Sequence, residues 1–141
     1  MSQFVVETPP VFRYLPTVLS HGWSVLPPFW YEQGGVLGRV ERLPDGQIVT
    51  FTVRDEQGQL VVTTTEAVTP AQQQAVCAVV GRCLSFDHDL TPFYELARQF
   101  PDYQWLERAR AGRMLVSPTV WEDLAKTLMK TNTTWAMTIG M

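Results

Sequence analysis

Long apolar runs are missing from this sequence. No stretch approaches the roughly 18 apolar residues that a membrane-spanning helix needs, and the first ten residues, MSQFVVETPP, lack the basic and apolar regions of a secretory signal peptide. A disordered composition is absent as well, since 45% of the residues are hydrophobic and 18% are charged. These absences predict a folded cytoplasmic protein with no membrane partner.

Cysteine and histidine are scarce, with two of each. Cys77 and Cys83 lie six residues apart in one helical pattern, which separates their Cα atoms by about 9 Å, too far for a disulfide. We interpret both as small core or surface thiols. Asp87, His88 and Asp89 carry groups that ligate metals, but three consecutive residues rarely face one point, so we interpret the two aspartates as helix caps. No metal site is expected.

The motifs of several large enzyme classes are absent too. The sequence contains no Walker A loop, no G-x-G-x-x-G, no C-x-x-C, no H-E-x-x-H and no G-x-S-x-G nucleophile elbow. His21, directly before Gly22, stands alone and is interpreted as a cation at the C-terminus of a helix. The residues by themselves therefore predict neither a catalytic group nor a cofactor.

Basic residues are too few for the overall positive charge that is typical of nucleic-acid-binding proteins. The formal net charge is −3. Residues 107 to 141 carry a local excess of two positive charges, which leaves −5 for residues 1 to 106. On charge alone we interpret this local excess as solvated helix faces.

The first half of the chain does have the apolar alternation and turn residues of β-structure. Turns are predicted at Gly34-Gly35, at Pro44-Asp45-Gly46 and from Asp55 to Gly58. The segments between them form an antiparallel meander with one apolar face, which the helices expected near residues 12 to 21 and 69 to 84 cover. The predicted strands are 4 to 6, 24 to 33, 36 to 43, 47 to 54 and 59 to 65.

From about residue 87 the pattern changes to helix and loop, beginning with a helix at Thr91-Pro92. We therefore predict an α+β protein with two parts: an N-terminal domain over residues 1 to 86, in which an antiparallel sheet has two covering helices, and a helical domain over residues 87 to 141.

The last stretch, Ser117 to Met141, reads as a helix, a break and a second helix. Thr119 and Glu122 have the spacing of a capping box, with Ser117-Pro118 as an alternative start. Glu122 and Lys126 are placed to pair four residues apart. We expect the apolar stripe to be buried and the charged face to be wet. The stripe consists of Trp121, Leu124, Ala125, Leu128 and Met129, and the charged face of Glu122, Asp123, Lys126 and Lys130.

The order of these features resembles the N-terminal half of the helix-hairpin-helix DNA glycosylase superfamily, especially its 3-methyladenine DNA glycosylase II and 8-oxoguanine DNA glycosylase branches. The resemblance spans nearly the whole chain, and the ordered set is more specific than any piece. Its pieces are Pro9 to Phe12, Gly35 to Val40 ahead of Pro44-Asp45-Gly46, Leu84 to Tyr94, Gly112-Arg113-x-Leu115, Ser117-Pro118, Trp121-Glu122 and an Asn-containing break.

The resemblance implies a TATA-binding-protein-like α+β domain packed on the first helices of an all-α helix-hairpin-helix glycosylase domain. It also implies a partner, double-stranded DNA with a damaged base, from which these enzymes flip and remove that base without a metal or cofactor. In the family, the loop after a helix that matches residues 119 to 130 fills the vacated stack, so the resemblance implies this role for Thr131, Asn132 and Thr133 here. Asn132 matches an Asn that contacts the widowed base. The alternative is that Asn132 is only a left-handed helix cap.

Two family features are not found in these 141 residues. The Gly-rich hairpin that binds a DNA phosphate is absent, and so are the catalytic Asp and, in bifunctional members, the Lys. We therefore expect no catalytic residue in this chain and no base release by the chain alone. The alternative function is a non-catalytic α+β binding module that associates with a protein partner or with itself through exposed terminal helices carrying Trp135, Met137 and Ile139.

Overall fold

The computed structural model describes residues 1 to 140. Its strands form one antiparallel sheet in the order β1-β5-β4-β3-β2, so the predicted meander is confirmed and β1 is added beside β5. Two cross-strand pairs set the register in the centre: Leu37 with Val53, and Val53 with Val62. The strands are β1 (Ser2–Val6), β2 (Phe29–Glu32), β3 (Val36–Arg42), β4 (Ile48–Glu56) and β5 (Gln59–Thr64).

The segment from residue 24 to residue 33 is less extended than its composition predicts. Trp23–Val25 forms a 3-10 turn, and β2 begins only at Phe29. Pro27 and Pro28 lack the N–H group that a strand donates to its neighbour, so pairing starts after them. The turn into β3 is made as predicted, with Gly34 and Gly35 at φ 95° and 85°.

Two helices cover the apolar face of the sheet, as predicted. They are α1 (Tyr14–Val18), shorter than the expected segment, and α2 (Pro70–Cys83). The Tyr14 hydroxyl donates to Val53 O (2.6 Å) and accepts from Leu37 N (3.2 Å), which fixes α1 to β3 and β4. One core cluster includes Val18 from α1, Val76, Val80, Cys83 and Leu84 from the second helical segment, and Leu37, Phe51, Val53 and Val62 from the sheet.

The remaining elements are all helical. They are α3 (Thr91–Arg98), a 3-10 turn (Pro101–Tyr103), α4 (Trp105–Ala109), α5 (Val120–Lys130) and α6 (Trp135–Gly140). None of the helices within residues 1 to 140 is long and apolar enough to cross a membrane. The polar break between α5 and α6 lies where the sequence predicts it.

Helix α5 starts at the predicted cap, but only half of the capping box forms. Thr119 Oγ1 accepts from Glu122 N (3.2 Å). The Glu122 carboxylate does not return to the Thr119 N–H, because it is bound elsewhere. The alternative start at Ser117-Pro118 is not used.

The outer face of the sheet carries one tight cross-strand contact. Trp30 pairs with Gly38, and a Cβ built on Gly38 would lie 2.0 Å from Trp30 Cε2. Gly38 has no positive φ, so only the indole, and not the backbone, requires glycine at this position.

We expect Gly38→Ala to destabilise the protein by about 1–3 kcal/mol, because the indole must leave the strand surface. In a Trp30→Ala background the same change should cost less than about 0.5 kcal/mol. Urea denaturation of the four proteins in this cycle measures both costs. Equal costs in the two backgrounds would show that the indole is not the constraint.

Candidate nucleic-acid interface at the turn between α5 and α6

Helix α5 is turned the opposite way from the sequence prediction. Lys126, expected on the wet face, is 3% exposed, whereas Trp121 is 74% and Leu128 60% exposed. Leu124 and Met129 are exposed as well. The helix therefore presents its charged side to the sheet and its apolar stripe to solvent. The expectation of a buried stripe is wrong for this structure, because the group that receives α5 is itself charged.

That group is Arg39, in the middle of β3. Its guanidinium binds the Glu122 carboxylate with both terminal nitrogens, at 3.0 Å (Nη1 to Oε1) and 2.7 Å (Nη2 to Oε2), and its Nε lies 2.7 Å from Glu41 Oε2. Lys126 Nζ lies 2.5 Å from Glu122 Oε1, so the predicted pair four residues apart is confirmed. Lys126 also donates to Ser117 Oγ (3.1 Å). We call Arg39, Glu41, Glu122 and Lys126 the charged latch.

Aromatic rings complete the surroundings of the two cations. The Arg39 guanidinium carbon lies 4.4 Å from the centroid of the Phe29 ring, and Lys126 Nζ lies 4.6 Å from the same centroid. The centroid of the Trp23 ring lies 5.5 Å from Lys126 Nζ. Burial would raise the pKa of Glu122, but hydrogen bonds from Arg39 and Lys126 outweigh it and lower that pKa to about 2.

The orientation of α5 gives a direct expectation for stability. Leu128→Gln should change the free energy of unfolding by less than about 0.5 kcal/mol, because the side chain is already in water. Leu84→Gln, at a site that is 1% exposed, is the matched control and should cost at least about 3 kcal/mol. Guanidinium denaturation compares the two. A large loss in Leu128→Gln would mean that the stripe is buried.

The three predicted DNA-contacting residues form the turn that follows α5. Asn132 is exposed and has φ 59°. This is the left-handed conformation that the alternative interpretation, a helix cap, predicts. Thr131 Oγ1 donates to Leu128 O (2.7 Å) and Thr133 Oγ1 to Met129 O (2.9 Å), so both hydroxyls close the end of α5. No hydrogen bond from the Asn132 amide is found within residues 1 to 140. The amide is therefore available at the tip of the turn.

Trp135, the first residue of α6, fixes the turn from the other side. Lys130 Nζ lies 5.0 Å from the centroid of its ring. The ring also lies against Gly22, where a Cβ would come within 2.9 Å of it. Gly22 has φ 86°, so both conformation and space require glycine there. The loop after α1 thus supports the turn.

His21 does not have the role that its position suggests. Helix α1 ends at Val18, three residues earlier, and the His21 ring packs against Trp23 with ring centroids 4.8 Å apart. Burial and the nearby positive charge of Lys130 lower the pKa of His21. The neutral imidazole is favoured, so the interpretation as a helix-terminal cation is wrong.

The local excess of positive charge does not form a basic surface. Lys126 is held in the charged latch, and Arg113 is 8% exposed, donating to the Ser85 and His88 carbonyls. Lys130 is half-buried beside Trp135. Arg113 and Lys126 are thus used inside the protein, whereas Arg108 is exposed, so the expectation of solvated faces holds for only part of this charge.

The Asp87-His88-Asp89 segment precedes α3, but the N-cap of that helix is Leu90, without a side-chain cap bond, so the interpretation of both aspartates as caps is wrong. Asp89 Oδ1 accepts from Thr91 N (2.9 Å), whereas the Asp87 side chain is 85% exposed. No cluster of three metal-ligating side chains occurs in the part of the chain that the structure describes. The segment borders an open cleft of about 380 Å³ between residues 9 to 11 and α3.

Sequence reasoning did not find Arg39. Arg39 belongs to the Gly35-to-Val40 motif, but the motif assigns it no partner. An Arg in an alternating strand normally lies on the solvent-exposed face. Its partner Glu122 was read as a cap and a surface pair. An Arg in register with Phe51 on the apolar face of the sheet was the one signal that could have indicated a buried charged partner.

Comparison with known proteins shows which solved structure shares this fold. No family model matches the chain, and no curated protein matches it. Among solved structures, the chain is similar to a 3-methyladenine DNA-glycosylase from Archaeoglobus fulgidus, with a TM-score of 0.69 and 17% sequence identity. The match covers 99% of this chain and 47% of that chain, so the chain spans about half the length of the structure it matches. The chain has a DNA glycosylase-like fold over its described length.

Proposed function

We propose that this chain is the N-terminal portion of a DNA base-excision repair glycosylase. The whole enzyme flips a damaged, alkylated or oxidised base out of double-stranded DNA and hydrolyses its glycosidic bond, with catalytic groups that lie outside these 141 residues. The proposal is supported by the likeness to the archaeal glycosylase over 99% of the chain. It is also supported by the ordered motifs of the sequence.

In this proposal the chain has two parts. Residues 1 to 86 are a TATA-binding-protein-like domain, supported by one antiparallel sheet with helices on a single face. Residues 87 to 141 are the first helices of a helix-hairpin-helix domain. The exposed stripe on α5 supports this division, because further helices of such a domain would cover it.

The turn between α5 and α6 is the proposed DNA contact, and the observation that carries it is the exposed amide of Asn132. An amide both donates and accepts hydrogen bonds, which suits the edge of any base that has lost its partner. The hydroxyl proton of Thr131 is donated to a helix carbonyl, so the exposed Thr131 oxygen is left to accept from DNA amino groups. Thr133 Oγ1 is bonded to Met129 O and lies 2.9 Å from Thr138 Oγ1, so Thr133 shapes the turn. The side chains of Thr131 and Asn132 occupy the gap that a flipped nucleotide leaves.

A second candidate function is a non-catalytic module that binds a protein partner or a second copy. The observation that favours it is the number of large apolar side chains exposed on the terminal helices. They include Trp121, Leu124, Leu128, Met137 and Ile139, each at least 44% exposed.

A base-release assay separates the two functions. Duplexes containing 3-methyladenine or 8-oxoguanine are incubated with the 141-residue chain and with any longer product of the same reading frame. Release by the longer product alone is the expected result. No release by either protein, while the short chain is folded, would overturn the glycosylase assignment in favour of the binding module.

A further inference from the structure

The way in which α5 is attached to the sheet carries one further inference. Most helices are held by their apolar stripe, but α5 contacts the sheet through the charged latch and leaves its stripe outside. The preceding segment adds two polar links, from Arg82 Nη1 to Pro118 O (3.0 Å) and from Ser117 N to Asp123 Oδ1 (2.8 Å). The direction of the α5 axis therefore depends on polar geometry.

A bidentate pair is well suited to fix such a direction. The two parallel hydrogen bonds between Arg39 and Glu122 define a plane as well as a distance, and Glu41 holds the third nitrogen of the same guanidinium. Phe29 lies under both cations. Arg39 thus has a single orientation, and α5 takes its orientation from it.

A change in the direction of the α5 axis at the charged latch displaces the turn at the other end of the helix. Glu122 and Asn132 are ten residues apart, which is about 15 Å along a helix axis, so a tilt of about 10° at the latch moves the turn by about 3 Å. Contacts to a base require placement within roughly 0.5 Å. Small changes at the latch are therefore large at the turn.

We infer that Arg39, a residue of the sheet, is a positioning residue for the turn at 131 to 133, and acts through Glu122 and α5. The DNA arm of this inference rests on the proposed function, whereas the structural arm does not. Arg39 itself touches no DNA. It transmits the placement of the sheet to the residues that enter the duplex.

Hydrogen exchange measured by mass spectrometry tests the structural arm. In Arg39→Met we expect amide exchange in residues 120 to 130 to accelerate at least tenfold, while exchange in β4 and β5 stays within twofold of the wild type. Arg39→Lys keeps the charge and should recover part of the protection. Arg54→Met removes an exposed arginine of β4 that is paired with Glu56, and should change neither region.

The DNA arm uses fluorescence anisotropy with a duplex that contains an abasic-site analogue and the same duplex intact. The preference of Arg39→Met for the abasic duplex should fall at least fivefold relative to wild type, with partial recovery in Arg39→Lys. If Arg39→Met does not fold, Glu122→Gln makes the same test from the helix side.

Unchanged exchange in α5, or equal acceleration in helix and sheet, would overturn the inference. A wild-type chain without abasic preference would instead overturn the proposed function, and the exchange result would still decide the positioning role.

Discussion

Glu122→Gln is expected to lower the free energy of unfolding by about 3 kcal/mol, the low end of what breaking a buried ion pair costs. The change leaves Lys126, with a side chain 3% exposed, without a carboxylate partner, and Arg39, 4% exposed, with only that of Glu41. An uncompensated cation inside a protein is costly because water no longer solvates it. Glu56→Gln, which removes an exposed carboxylate of β4, is the matched control and should change stability by less than about 0.5 kcal/mol.

The same carboxylate predicts a pH dependence with a defined sign. The pKa of Glu122 falls from 4.5 to about 2 on folding, so the unfolded chain binds a proton at this site more readily than the folded chain. Its contribution is complete above about pH 4.5 and is lost as the pH falls towards 2. Urea denaturation between pH 6 and pH 2 should show this loss in the wild type and a smaller one in Glu122→Gln. Parallel curves for the two proteins would contradict the assignment.

Arg113→Met is expected to destabilise the junction ahead of α3 by about 2–3 kcal/mol. The guanidinium donates to the carbonyl oxygens of Ser85 and His88, and methionine leaves both without that charged donor. Ser85 has φ 54° and donates its hydroxyl to Met114 O (2.8 Å). Arg113 therefore ties a strained turn to the segment that leads into α5.

Limited proteolysis localises this effect. Thermolysin should cut Arg113→Met near residues 84 to 92 at least tenfold faster than the wild type. Arg108→Met removes an exposed arginine that makes no ion pair among residues 1 to 140, and should be cut at the wild-type rate. Loss of stability without faster cutting at the junction would place the role of Arg113 elsewhere.

The sheet could be predicted from the sequence because its signals are local. Alternation from Val49 to Val53 and the Gly34-Gly35 turn each fix a strand or a reversal without knowledge of the rest of the chain. The segment before β2 could not be placed so well, because the prolines at 27 and 28 decide where pairing begins. Helix α5 was located within one residue, and its cap at Thr119 is correct.

The orientation of α5 could not be predicted, for a physical reason. A helical stripe such as Trp121, Leu124 and Leu128 states which face is apolar, but not what the rest of the molecule offers to cover it. Here the nearest surface contains Arg39, and a charged face fits it. Arg39 and Glu122 are 83 positions apart in the chain, and a local sequence pattern cannot indicate a contact between residues so far apart.

The candidate turn was found through the order of family motifs, because neither the composition nor the spacing of Thr131, Asn132 and Thr133 indicates DNA. The structure adds that Asn132 is exposed and that its left-handed backbone serves the helix end at the same time. A cap and a DNA contact are therefore compatible in one residue.

Binding of the wild-type chain and of Asn132→Ala to abasic and intact duplexes is the most direct test of the DNA role. We expect the wild type to prefer the abasic duplex, and Asn132→Ala to lose at least tenfold affinity for it, about 1.4 kcal/mol, with little change on intact DNA. The salt dependence should be shallow, since the two lysines of α5 nearest the turn in sequence are not exposed: Lys126 is buried and Lys130 is half-buried. Thr127→Ala, one exposed helix position on α5, is the control and should bind both duplexes as the wild type does. Equal losses on both duplexes, or no wild-type preference, would contradict a gap-filling role for the turn.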